Sequence, residues 1–174
     1  MTWSRVRTRK STRWLRGPDV GFAYVLDNVL AQGSRPPIGG PLAPRFTTLV
    51  LCAQELLEET PQGLPGAFPD VVVLKVPLDD AKPSLDEVRR ALVAGHNVAM
   101  RIRCGERVLS TCNQGRNRSG LVTGFTLMEL GMSANEAIAR VKHARKNALT
   151  NPYFVQVLRA YDKVPRLPSH SMMV

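Results

Sequence analysis

The sequence predicts an α/β fold: a central, mostly parallel sheet flanked by helices. Three observations predict it. Short apolar runs rich in β-branched residues recur along the chain. Longer stretches with helical spacing separate the later runs, two of them opened by a Ser-x-x-Glu capping box. Strands that alternate with helices pair in parallel, because the crossover returns the chain to the same end of the sheet. A length of 174 residues suits one domain with one hydrophobic core, and there are no internal repeats.

The elements follow in order. Residues 22–26 and 29–31 are apolar and flank Asp27-Asn28, a hairpin signal. Residues 35–44 hold four prolines and two glycines and form a loop. Residues 47–52 read as a buried strand, 53–60 as a short helix and 61–69 as a second loop. Residues 71–76 are β-branched and apolar apart from Lys75, hence a strand, and 79–83 make a polar turn. Ser84-Leu85-Asp86-Glu87 is a capping box, and Leu85, Val88, Leu92, Ala99 and Ile102 continue at helical spacing. Gly105-Glu106 turns the chain into a strand over 107–111.

Past Cys112 and a short loop, a helix runs from about 119 to 130, and Gly131 ends it. Ser133-Ala134-Asn135-Glu136 is the second capping box, opening a helix with Ala137, Ile138 and Val141 on one face. Asn151 caps the last helix, Pro152 takes its first position, and Phe154, Val157, Leu158 and Tyr161 form its stripe. The divisions are a basic arm at 1–16, a catalytic domain at 17–165 and a tail at 166–174.

Composition narrows the function. With 44% hydrophobic and 22% charged residues the chain reads as an ordinary globular protein. No uncharged run exceeds the twelve residues 147–158, so no transmembrane segment is expected. No apolar stretch follows the basic start, which argues against a secretory signal. The cysteines, Cys52, Cys104 and Cys112, are an odd and sparse set that fits reduced thiols and a cytoplasmic location. No Cys/His spacing suits zinc, so no metal is expected.

The net charge is +10, of which residues 1–16 carry six through Arg5, Arg7, Arg9, Lys10, Arg13 and Arg16 without one acid. That arm, which also holds Trp3 and Trp14, reads as a contact for a polyanion (RNA or an acidic membrane surface) or as an Arg-rich transit segment. The plain alternative is a solvated tail with Trp14-Leu15 docked on the domain.

Residues 108–120, VLSTCNQGRNRSG, carry the chemistry. Cys112 stands where a buried strand ends, and Arg118 and Ser119 stand where a helix begins. A loop entering a helix N-terminus aims several backbone N–H groups at one point, and the helix dipole adds positive potential. That is a site for a tetrahedral phosphoryl group, built from Asn113, Gln114, Gly115, Arg116, Asn117 and Arg118. The same field favours the thiolate, the form in which Cys112 is a nucleophile. Arg118 adds a planar fork for two phosphoryl oxygens, which lysine lacks. Gly115 permits a left-handed turn, and Ser119 can hydrogen-bond the sulfur. Arg at +6, Gly at +3 and Ser or Thr at +7 from one cysteine arise together by chance in well under about 1% of cases.

Residues 112–119 match the Cys-x5-Arg-Ser/Thr signature, and the chain thereby resembles the cysteine-based protein tyrosine phosphatase superfamily. The motif's place in the C-terminal half resembles the dual-specificity branch. Residues 28–34, 48–53, 76–80 and 131–137, then Arg145, Asn151 and Phe154, extend the resemblance over about 20–162. Thr111 stands where these enzymes usually carry His, and the 35–44 loop replaces a short helix.

The resemblance implies a protein phosphatase that hydrolyses phosphotyrosine, and phosphoserine or phosphothreonine in a shallow pocket, through a cysteinyl-phosphate and without a cofactor. A phosphorylated protein is the implied substrate. Alignment to the family favours Asp80 over Asp79 as the general acid. Two other readings stand beside it. Gly-x-Asn-Arg at 115–118 also resembles RNA 5′-triphosphatases of this fold, which suits a basic chain. A non-catalytic phospho-binding module is the other. Cys52, ending the 47–51 strand as Cys112 ends 107–111, resembles the place where some of these phosphatases carry a redox partner for the nucleophile.

Overall fold

The computed structural model describes residues 21–36, 42, 45–58, 68–69 and 71–163. The basic arm, the tail and most of the two Pro/Gly loops lie outside the described residues. Among the described residues five strands form: β1 (Phe22–Leu26), β2 (Leu30–Gly33), β3 (Thr48–Leu51), β4 (Val72–Lys75) and β5 (Val108–Thr111). Five helices accompany them: α1 (Glu55–Glu58), α2 (Leu85–Arg103), α3 (Arg118–Glu129), α4 (Ala134–Ala144) and α5 (Pro152–Tyr161).

The strands make one sheet in the order β1-β2-β5-β3-β4, parallel throughout except for β1. The hairpin between β1 and β2 closes at Asn28, whose φ of 62° suits an asparagine in a tight turn. Every residue of β2, β3 and β5 is buried, as expected of central strands covered on both faces. Gly33 of β2 and Leu51 of β3 both register with Thr111 of β5. Three parallel strands therefore end level, and Ser34, Cys52 and Cys112 emerge together at their carboxyl ends. Ligands of open α/β sheets bind at that edge.

Helix α3 leaves that edge and is buried from Arg118 to Met128, with α2, α4 and α5 packed around it. The sequence-based stripe for α2 is partly corrected. Its buried residues are Ala91, Ala94, Gly95, Val98 and Ala99, whereas Leu85 is 84% exposed, and Val88, Leu92 and Ile102 are half-buried flanks. The reason is closeness: a Cβ on Gly95 would sit 2.5 Å from the Phe125 Cβ, so small side chains face α3. Both capping boxes form, with Glu87 and Glu136 accepting from the backbone N–H of Ser84 and Ser133 at 2.9 and 2.8 Å. Asn151 caps α5 by accepting from Tyr153 N–H at 3.0 Å. Among the described residues no helix is long and apolar enough to cross a membrane.

Candidate active site

The loop between β5 and α3 is held by its carbonyl groups. The Asn113 carbonyl accepts from Arg35 N–H at 3.1 Å, and that of Gln114 from Arg145 Nη2 at 2.9 Å. The Gly115 and Arg116 carbonyls accept from Gln32 Nε2 at 3.0 and 3.2 Å. In a trans peptide the N–H points opposite to the C=O. Four outward carbonyls therefore turn the N–H groups of Gln114, Gly115, Arg116 and Asn117 toward the concave side, where an anion would sit.

Gly115 makes this curvature possible. Its φ is +66°, and a Cβ there would lie 2.3–2.5 Å from backbone atoms of Gly33 and Ser34. The loop leans on the end of β2, and only glycine fits. The helix N-terminus of α3 follows at once, with no acidic residue in its first turn to oppose its dipole.

Cys112 is 2% exposed, and its Sγ lies 3.3 Å from Ser119 Oγ. Arg118, 9% exposed, donates from Nη1 to Glu55 Oε2 at 2.6 Å, while its buried Nε has no hydrogen-bond partner among the described residues. A buried donor with no acceptor costs free energy unless a ligand supplies one, and a phosphoryl oxygen is such an acceptor. Burial works against the Arg118 charge. Its hydrogen bond to Glu55, together with the nearby Cys112 and Asp80, outweighs burial and holds the guanidinium above its ordinary value. The same hydrogen bond holds the Glu55 carboxyl below the usual carboxylate range, against opposing burial.

The two aspartates differ in attachment. Asp80 accepts from Asn117 Nδ2 at 3.0 Å and from Asn151 Nδ2 at 3.1 Å, which places its carboxylate beside the loop. Asp79 is tied through its backbone N–H to Glu87 Oε1 at 2.9 Å, at the start of α2. Asn117 also accepts from Thr150 N–H at 2.8 Å and Asn151 N–H at 3.1 Å, so one side chain joins the loop, the turn at Asp80 and the start of α5. Thr111 donates its hydroxyl to the Val50 carbonyl at 3.0 Å and binds strand to strand.

Cys52 is fully buried, with its Sγ 3.5 Å from Ser110 Oγ. Burial pushes its thiol up to about 12, against that hydrogen bond. Its N–H donates to the Thr111 carbonyl at 2.8 Å, one residue before Cys112.

Sequence reasoning named Cys112, Ser119, Arg118 and Asp80, and the fold brings them to one edge. It gave no role to Gln32 or Glu55, named Arg145 only through resemblance, and gave Asn151 the role of helix cap without its bond to Asp80. The signals were there to use. Gln32 is a polar residue inside the apolar run 29–33, and a polar side chain in a central strand needs a partner.

No family model matches the sequence, and no curated protein matches it significantly. Solved structures do. A mouse putative dual specificity phosphatase is 28% identical, at a TM-score of 0.68, over 84% of this chain and 87% of its own. Human DUSP28 is 27% identical, at 0.68, over 84% of this chain and 93% of its own. Tk-PTP, in its active form, is 26% identical, at 0.68, over 81% and 95%.

Proposed function

We propose that this chain, which has the dual-specificity-like fold of the cysteine-based protein tyrosine phosphatases, hydrolyses phosphotyrosine in proteins, and phosphoserine or phosphothreonine where its pocket admits them, through a cysteinyl-phosphate. One observation carries the reading: the Cys112 sulfur stands 3.3 Å from Ser119 Oγ beneath a loop whose carbonyls are drawn outward and whose Arg118 Nε lacks a partner among the described residues.

The chemistry follows from these groups. Cys112 thiolate attacks phosphorus in line, forming the S–P bond as the P–O bond to the leaving oxygen breaks. The loop N–H groups and Arg118 hold the three equatorial oxygens. Asp80 gives its proton to the leaving oxygen, then takes one from the water that attacks the cysteinyl-phosphate. Breaking the S–P bond returns the electron pair to sulfur, and the Ser119 hydroxyl donates to the departing thiolate. Inorganic phosphate leaves. No step calls for a cofactor.

Hydrolysis of p-nitrophenyl phosphate tests this directly. Wild type should turn over, Cys112→Ser should lose turnover while still binding vanadate, and Arg118→Lys should lose most activity because a point charge replaces a fork. No turnover by wild type means a phospho-binding module. Phosphotyrosine peptide against 5′-triphosphorylated RNA then separates the two substrate classes, the second favoured by the +10 charge. Residues 1–16 supply a polyanion contact in this reading. Deleting them should leave aryl phosphate turnover within about threefold and weaken binding to RNA or acidic vesicles, with a smaller salt dependence.

A further inference from the structure

Outside the active site, a groove of about 400 Å³ lies between β4 and α2. Val73, Val76 and Ala94 line its base, and Lys75, Arg89 and Arg90 are exposed along its rim. Val93, 54% exposed, adds apolar surface on the helix side. Arg89 meets Asp86 at 3.3 Å, but both side chains are 76% exposed, so solvent screens the pair and it holds Arg89 weakly.

The strand beside the groove ends the sheet. Val72 and Val76 direct their N–H groups inward, to the Thr47 and Leu51 carbonyls at 3.0 and 2.9 Å. A strand alternates the side to which its backbone groups point, so Val73 and Lys75 present theirs outward. Among the described residues no strand pairs with them. An open row of donors and acceptors is a template for an added strand.

We propose that this edge binds an acidic, extended peptide of a partner protein as a sixth strand, its carboxylates set against Lys75, Arg89 and Arg90 and its apolar side chains over Val73 and Val93. Charge selects the occupant. Residues 1–16 carry six basic side chains and no acid, and 166–174 hold Arg166 and no acid, so both termini of this chain are repelled. Residues 59–67 hold two prolines and two glycines, poor strand formers. Two copies paired edge to edge would bring six cations together. An acidic β-strand from another molecule meets no such obstacle.

The probe is a capped, dye-labelled peptide of alternating Glu and Val without phosphate, so the result is independent of phosphatase activity. It should bind wild type, shift the Val73 and Lys75 backbone amides most in NMR spectra, and slow their hydrogen exchange. Arg89→Glu with Arg90→Glu should weaken binding at least about tenfold while p-nitrophenyl phosphate hydrolysis stays unchanged. Should that variant misfold, the amide shifts of wild type still decide. Equal binding of an alternating Lys and Val peptide overturns the proposal. So do unshifted Val73 and Lys75 amides. Protection of both amides in the free monomer means that the chain covers its own edge, and protection that grows with protein concentration means a second copy; either outcome overturns it too.

Discussion

Asn117 and Asp80, 37 positions apart, meet at 3.0 Å, and the contact fastens the turn at Asp79-Asp80 to the loop between β5 and α3. The same Asn117 side chain holds Thr150 and Asn151 on its other side, and Asn151 returns a second hydrogen bond to Asp80. A carboxylate fixed by two amides keeps one position relative to Cys112, as the proposed general acid must.

Asp80→Asn should slow hydrolysis of phenyl phosphate about 100-fold or more, and that of p-nitrophenyl phosphate much less, since a good leaving group needs little protonation. Asn117→Ala should repeat the selectivity at about tenfold, the effect of one lost hydrogen bond to a charged group. Asp79→Asn should change neither. Equal losses on both substrates would remove Asp80 from the role of acid.

Gly115→Ala should cost about 2 kcal/mol or more of stability, because it adds left-handed strain to a collision with the Gly33 and Ser34 backbone. The loop must move off β2 to accept the methyl group, so phosphate-analogue affinity should fall with it. Thermal melts and vanadate inhibition measure the two. A variant that melts and binds like wild type contradicts the close contact.

Glu55→Gln tests the ion pair with Arg118. The Glu55 carboxyl titrates below its ordinary range when folded, held there by the hydrogen bond from Arg118. Its ionised form therefore favours folding above about pH 4.3, the ordinary value, and that contribution fades as pH falls through the lower folded value. Wild type should exceed the variant at neutral pH by under about 1 kcal/mol, since Glu55 is 41% exposed and screened, and the gap should close in acid. Urea melts at pH 7 and pH 3 report it. A gap independent of pH assigns the difference to packing.

Cys52 and Cys112 each follow register partners, Leu51 and Thr111, on adjacent parallel strands. Their Cα atoms should lie about one strand spacing apart, ~5 Å, within disulfide range. Peroxide should convert the Cys112 thiolate to a sulfenic acid, and Cys52 should condense with it, releasing water. Because burial pushes the Cys52 thiol up to about 12, that second step should be slow and should quicken as pH rises. Peptide mapping after mild peroxide should find a Cys52–Cys112 link, with activity restored by dithiothreitol. If Cys52→Ser recovers from peroxide as fully as wild type, Cys52 only packs.

What was legible in the sequence was local. Capping boxes, the Asn28 turn, the Pro152 start and the Cys112–Ser119 spacing each lie within a few residues and leave a pattern. The supports of the site do not. Gln32 reaches Gly115 across 83 positions and Arg118 reaches Glu55 across 63, so neither partner marks the other. The α2 stripe, right at Ala99, missed elsewhere for a different reason. Helical spacing selects large apolar residues such as Leu85, whereas the α3 contact needs small ones, and Ala91, Ala94 and Gly95 are weak hydrophobic signals.

The outward bonds of the phosphate loop join strand β2, the Arg145 side chain and the backbone at Arg35 in one scaffold. If the loop takes a phosphoryl group as proposed, its cup is complete before the ligand arrives, and docking forfeits little conformational freedom. The proposed catalysis would then draw on folding rather than on substrate, so heat inactivation should coincide with melting of the sheet instead of preceding it.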